Sequence, residues 1–214
     1  MISGVVFDFD GTLVDSNEIK RQSFFDITDH IPKAREYLEE MLSDPFFGDR
    51  YKVFKYLSEK LNLHENHFDI DVRSLVDSYT EKCEQEITDA SEINGATKAL
   101  AELLGMGIRI FVSSATPEST LKKILALRGL DSMIDMILGA PDTKEQHIGR
   151  IAKFLGCDMH EMIYVGDSEV DRRAAVNTGC HFIGIGGDNL RFNRKPDLLL
   201  EDLSCLPELV RKLG

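Results

Sequence analysis

Six short, almost unbroken apolar runs are strung along the chain: GVVFDFD (4–10), IRIFVSS (108–114), MIDMILG (133–139), EMIYVGD (161–167), HFIGIGG (181–187) and PDLLLED (196–202). A strand with one face in water alternates apolar and polar residues. These runs hardly alternate, so they read as strands covered on both faces. Helical patterns stand between most of them, at 94–106, 117–128, 143–155, 168–178 and 204–213. Strand and helix in alternation predict an α/β fold with a doubly wound, mostly parallel, Rossmann-like sheet. The rhythm breaks once. From Ser16 to Ala90 no convincing strand occurs, and helical stretches fall near 17–30, 33–42, 49–62 and 68–88, punctuated by Pro32, SDPFFG (43–48) and NLHEN (62–66). A segment this long is not expected to be a structureless loop. Residues 1–15 and 91–214 are therefore expected to form the α/β core, with 16–90 as an inserted all-helical lobe over one end of the sheet.

Charge narrows the function. With 37 acidic against 25 basic side chains the formal net charge is −12, which lacks the basic footprint of a general nucleic-acid binder. No membrane-spanning run and no signal peptide is apparent, so a soluble, cytoplasmic protein is expected, with no evident obligate protein partner. Cys83, Cys157, Cys180 and Cys205 form no CxxC pair and read as reduced core thiols. An anionic substrate would be repelled by the global field unless a local cation inverts it, and a divalent metal would do so.

In open α/β sheets, ligands bind beyond the carboxyl ends of the strands, so the strand-closing residues are the ones to read for chemistry. The first run closes on Asp8-Phe9-Asp10-Gly11-Thr12. Residues two apart on a strand share a side, so Asp8 and Asp10 would crowd two carboxylates together. The pair suits a nucleophile and a proton shuttle; solvated acids at a strand end are the plain alternative. A later run closes on Gly166-Asp167-Ser168, with Asp171 four residues after Asp167. Hard oxygen donors so spaced suit Mg²⁺, or else serve only as a helix cap. Ser113-Ser114-Ala115-Thr116 precedes Pro117 and a helix, which offers a hydroxyl and backbone N–H groups to a phosphate, or else Ser114 or Thr116 only caps that helix. Only one of Ser113 and Ser114 can face the site, and Ser114 is chosen. Asp142 and Glu145 resemble a capping pattern, which puts Lys144 in a first helical turn where it opposes the helix dipole. A partner elsewhere, such as a carboxylate cluster, would explain it; a solvated lysine is the plain alternative. Taken together, four strand ends present what one phosphoryl-transfer site needs.

These motifs carry a resemblance. DFDGTLVDS (8–16), a strand ending in Ser114, then Lys144, then VGDSEVDRRAAVNTG (165–179) resemble the haloacid dehalogenase superfamily. NGATKALAELLGMG (94–107) and PDLLLEDLSCLPELV (196–210) are similar to family segments, so the likeness covers about 1–15 and 92–212. The branch resembled is that of phosphatases with a helical cap, phosphoglycolate phosphatase-like. The resemblance implies Asp8 as nucleophile and Mg²⁺ ligand. It implies Asp10 as general acid/base with its backbone carbonyl on the metal, and Thr12 as loop support. Ser114 and the Ala115 amide would hold phosphate, Lys144 would balance charge, Asp167 would ligate the metal and Asp171 would be an outer or secondary ligand. Family dehalogenases lack the second aspartate, so Asp10 points to phosphate chemistry. Many relatives carry Lys-Pro followed by Pro where this chain has DTKEQ (142–146); Lys122 and Lys123 are less well placed than Lys144. In the lobe, FFGDRYKVF (46–54) is the most distinctive segment, with Phe46, Phe47 and Gly48 as a loop. Arg50 is a candidate to grip an anionic leaving group, or else pairs at the surface. His64 and His67 show no metal-ligand pattern.

The leading expectation is a Mg²⁺-dependent phosphatase acting on a small phosphorylated metabolite through a phospho-aspartyl intermediate on Asp8. Alternatives are a phosphomutase, a receiver-type phospho-acceptor domain and an inactive binding relative. Phosphoglycolate, a nucleotide, a sugar phosphate and pyrophosphate all stay open as substrates.

Overall fold

The computed structural model describes residues 2–44, 49–61, 71–186 and 192–214. Phe46, Phe47, Gly48, His64 and His67 lie outside them, as does Gly187 at the end of the fifth apolar run. Two compact units emerge, one of Met1–Asp15 with Ala90–Gly214, the other of Ser16–Asp89.

The first unit is built on strands β1 (Gly4–Phe7), β2 (Arg109–Pro117), β3 (Met136–Ala140), β4 (Met162–Gly166), β5 (His181–Ile185) and β6 (Leu199–Leu200). They form one sheet in the order β3-β2-β1-β4-β5-β6. Every neighbouring pair is parallel. Parallel pairing explains the missing alternation, because the crossover helices cover both faces. Helices α7 (Lys144–Leu155) and α8 (Glu169–Thr178) pack together and close over Val6, Phe111, Met162 and Tyr164. The alternate residues Val5, Ile110 and Ile163 are fully buried as well. They point to the opposite face. There α5 (Ala96–Gly105) packs with α9 (Leu206–Leu213) and with β2, while α6 (Glu118–Leu127) packs on β2 and β3.

Several boundaries differ from those read in the sequence. The first strand stops at Phe7 rather than at residue 10, because Phe9–Val14 close a tight loop: Leu13 N–H and Val14 N–H donate to the Phe9 carbonyl, and Gly11 N–H to that of Val14. Gly11 takes φ 75°, where a side chain is disfavoured. β2 runs on to Pro117, so α6 begins only at Glu118 with Pro117 as its cap. A short 3₁₀ turn (Asp131–Met133) takes the start of the expected third strand. α7 is capped by Thr143 with Gln146, not by Asp142 with Glu145. Both spacings satisfy the capping box, and Asp142 is instead drawn to Arg150, 3.0 Å away. Of the four cysteines, Cys83 and Cys180 are buried and Cys157 half-buried, but Cys205 is exposed and so is not a core thiol.

The second unit contains α1 (Asn17–Thr28), α2 (Ala34–Met41), α3 (Arg50–Leu61) and α4 (Val72–Asp89). Its centre is aromatic. Phe24 stacks on Tyr79 at 4.3 Å and lies 5.3 Å from Phe54. The Tyr79 hydroxyl satisfies itself by donating to the Lys20 carbonyl. Among the described residues no helix is long and apolar enough to cross a membrane.

Two glycines test the close packing of the first unit. A Cβ on Gly139 would lie 2.5 Å from Glu118 Cα and from the Thr116 carbonyl oxygen, which are backbone and cannot swing away. Gly149 sits inside α7 with nothing near its Cβ direction. Urea denaturation should find Gly139→Ala destabilised by about 1–3 kcal/mol. Gly149→Ala should be stabilised by about 0.5–1 kcal/mol.

Candidate active site

The strand order reverses between β1 and β4: from β1 the chain winds outward to β2 and β3, then crosses over to β4. At such a point neighbouring connections leave in opposite directions and open a crevice at the carboxyl ends. Asp8 follows β1 and Asp167 follows β4. The Asp8 N–H still donates to the Val165 carbonyl at 2.8 Å, so the ladder holds its backbone even though the strand has ended.

Asp8, Asp167 and Asp171 are all buried, and each offers a carboxylate oxygen within 4.8 Å of the others. Lys144, the first residue of α7, sets its Nζ 3.0 Å from Asp8 Oδ1 and 2.5 Å from Asp171 Oδ1. This is the carboxylate partnership that its unfavourable place at a helix N-terminus called for. Asp171 is wholly buried and has two duties. Its Oδ1 meets Lys144, and its Oδ2 accepts from the Ser168 hydroxyl at 2.5 Å and the Ser168 N–H at 3.2 Å. Ser168 caps α8 in return. The capping reading of GDSEVD is thus realised, and the same Asp171 side chain also meets Lys144. Gly166 makes this possible, since a Cβ there would collide with Asp171 Cβ and Cγ.

Asp10 turns another way. Its Oδ2 accepts from Thr116 Oγ1 at 3.1 Å and Ser114 Oγ at 3.3 Å, both on β2. Ser114 Oγ also accepts from the Thr116 N–H. Ser113, one residue back, faces the opposite side and pairs with His147 Nδ1 at 2.9 Å. Of the two serines, Ser114 is therefore the one beside Asp10. Ala115 is exposed at the same strand end. Thr12 is fully buried, and its hydroxyl has no hydrogen-bond partner among the described residues. Thr116 was read from the sequence only as an alternative helix cap, although its place two residues beyond Ser114 puts it on the same side of a strand. The expectation that the strand ended at Ser114 hid it.

Arg50 lies within the helical unit, where its guanidinium donates to Thr80 Oγ1 at 2.8 Å and lies 5.2 Å from the Tyr79 ring centroid.

In the metal-free protein Lys144 alone does not hold Asp8 in its ionised form. Burial, with the charges of Asp171, Asp167 and Asp10, raises the Asp8 carboxyl well above its usual range, and Lys144 only partly opposes this. A buried group of carboxylates that outweighs its one close lysine is the donor set a divalent cation fits.

With this geometry in view, comparisons with known proteins are informative. The family model for haloacid dehalogenase-like hydrolases matches residues 5–185. The chain belongs to that family. Its relatives place this hydrolase in the phosphatase branch. It is 26% identical to pyrophosphatase PpaX of Bacillus velezensis, over 96% of this chain and 94% of that one. It is 30% identical to phosphoglycolate phosphatase of Yersinia pestis, over 86% of this chain and 81% of the relative. The fold matches a crystal structure of a predicted phosphoglycolate phosphatase from Haemophilus somnus, with a TM-score of 0.75, 18% identity and 97% of each chain covered.

The raised carboxyl of Asp8 predicts a trade between stability and activity in this hydrolase. Because the folded state holds the Asp8 proton more tightly than the unfolded chain does, ionising Asp8 penalises the fold. The penalty is absent below the ordinary carboxylate pKa and grows as pH rises towards the raised value. In EDTA at neutral pH, Asp8→Asn should therefore melt higher than wild type, by about 2–4 °C for each 1 kcal/mol relieved. The difference should shrink in acid. Differential scanning calorimetry at both pH values checks this, and a lower Tm for Asp8→Asn at neutral pH would count against it.

Proposed function

We propose that this hydrolase is a Mg²⁺-dependent phosphatase of small phosphorylated metabolites that works through a phospho-aspartyl intermediate on Asp8. The observation that carries the reading is the split environment of the two neighbouring aspartates. Asp8 sits among Lys144, Asp167 and Asp171, while Asp10 sits among the hydroxyls of Ser114 and Thr116.

Asp8 and Asp167 supply the carboxylate donors that would hold the ion, with the Asp10 backbone carbonyl as a further ligand implied by family resemblance and Asp171, already engaged by Lys144 and Ser168, as an outer or secondary one. When bound, Mg²⁺ would supply positive charge that favours ionised Asp8 and offsets charge on phosphate oxygens. The remaining work falls to the chain. A carboxylate oxygen of Asp8 attacks phosphorus and the bond to the leaving oxygen breaks, which leaves an acyl phosphate. Asp10 gives its proton to the leaving oxygen and becomes a carboxylate. It then takes a proton from water as that water attacks the acyl phosphate, and Asp8 and inorganic phosphate are released. Ser114 and the Ala115 amide bind phosphate oxygens, Lys144 balances the charge on Asp8 and the phosphoryl group, and Thr12 braces the loop between the two aspartates. A division of labour between chemically similar carboxylates is what different surroundings can impose.

The relatives named pyrophosphatase and phosphoglycolate phosphatase support small, strongly anionic substrates. A phosphometabolite panel including inorganic pyrophosphate and 2-phosphoglycolate, run with Mg²⁺ and with EDTA, tests the class. Full turnover in excess EDTA would sink the metal requirement. Single-turnover labelling tests the roles. Asp8→Asn should trap no phosphate on the protein. Asp10→Asn should still be labelled, but more slowly, by about 10²–10⁴-fold with an alkyl phosphate. It should lose less with p-nitrophenyl phosphate, whose leaving group needs little protonation. Equal losses with both substrates would remove Asp10 from the acid role.

A further inference from the structure

The hydroxyls of Ser114 and Thr116 reach Asp10 from a stretch of β2 with little ladder to hold it. Pairing of β2 with β1 ends at Phe7↔Val112. Pairing with β3 is regular up to Ser113↔Leu138, then shifts, and resumes only at Pro117↔Ala140. Four residue steps on β2 thus face two on β3. Extra residues in a strand bend it and leave backbone groups out of the ladder, and such irregularities re-aim side chains next to active sites.

Two side chains grip the residue where the ladder fails. His147 Nδ1 lies 2.9 Å from Ser113 Oγ, and the Tyr164 hydroxyl donates to the Ser113 carbonyl at 3.1 Å. Ser113, His147 and Tyr164 are all buried. Burial pushes the His147 imidazole below its usual pKa, so it stays neutral near pH 7. Its Nε2 meets no partner within strict hydrogen-bond geometry among the described residues, although the Gly139 backbone also acts on the ring, so the bond to Ser113 is its side-chain polar anchor. His147 stands three residues after Lys144 on α7, on the same side of the helix. One helix therefore sends a cation to Asp8 and an imidazole to the strand that aims hydroxyls at Asp10.

We propose that His147 is a positioning residue: through Ser113 it fixes the irregular end of β2, so that Ser114 and Thr116 stay turned towards Asp10 and the phosphate position. His147 touches neither the substrate nor the reacting atoms in this scheme. Its link to phosphate rests on the phosphatase reading above, whereas the clamp on β2 does not.

The test compares His147→Leu, which fills the space without a polar atom, with His147→Asn, whose amide can return one near the Nδ1 position. Hydrogen exchange at residues 114–116, affinity for inorganic phosphate with Mg²⁺ present, and Tm are measured for both. For His147→Leu, exchange at 114–116 should quicken on the order of tenfold and phosphate affinity should fall on the order of tenfold, as loss of one buried hydrogen bond implies. The KM for p-nitrophenyl phosphate should rise with it more than kcat falls. His147→Asn should recover most of each change. Ser113→Ala should match His147→Leu, and the double variant should be no worse than either single one, because both remove the same bond. Ser113→Ala also serves alone if His147→Leu does not fold. The proposal is overturned if His147→Leu exchanges as wild type does, or if His147→Asn is as impaired as His147→Leu, since packing would then account for the residue. Wild type that neither turns over p-nitrophenyl phosphate nor binds phosphate would remove the phosphatase reading, while the exchange data would still decide the clamp.

Discussion

The first unit is organised around an electrostatic conflict at its buried centre. Three carboxylates, on Asp8, Asp167 and Asp171, share a space only 4.8 Å across, with Lys144 as the cation in contact with two of them. Close like charges away from water are costly, and each such carboxylate needs compensation. The surrounding fold is arranged to supply it. Asp171 is met by Lys144 and by the cap of α8, and Gly166 leaves room for its side chain. Asp8 is left only partly compensated, which raises its proton affinity and makes the cluster a place where a divalent cation would be favoured. A free-energy deficit of this kind is the usual mark of a functional site.

Parallel topology is what brings these groups together. In a parallel sheet all strands end on the same edge, and the central pair, β1 and β4, delivers Asp8 and Asp167 side by side. β2 lies on the other flank of β1 and brings Ser114 and Thr116 to Asp10. The tight loop at Phe9–Val14 turns the second aspartate away from the first. Two identical side chains separated by one residue thereby meet unlike surroundings, a lysine and acids for one and hydroxyls for the other. That contrast, more than either aspartate alone, is the basis of the roles proposed for them.

Relatives named for pyrophosphate and for phosphoglycolate align along most of this chain. What such substrates share is a phosphoryl group and a high density of negative charge. The chain carries a formal charge of −12, so attraction must come from local features at the strand ends and not from the protein as a whole.

Much of this was legible in the residues. Unbroken apolar runs such as MIYV (162–165) read as strands covered on both faces, because a half-exposed strand would alternate. DFDGT and GDSEVD stood at strand ends, where an α/β sheet binds its ligands, and Lys144 in a first turn was open to an anionic partner as well as to plain solvation. Those inferences depend on local periodicity and local charge, which sequence carries directly. The positions of Ser113 and Ser114 were harder. Their facing depends on where β2 bends against β3, and the strand runs to Pro117 instead of stopping at Ser114. The bond between Ser113 and His147 spans 34 residues and joins β2 to α7, with α6 and β3 between them, so no spacing rule announces it. The raised proton affinity of Asp8 likewise needs the summed distances to three other acids and one lysine. The sequence by itself determined which residues end the strands and hence which chemistry is on offer. Only the tertiary structure decided which partner each one meets, because burial and charge balance arise from groups far apart in the chain and close in space.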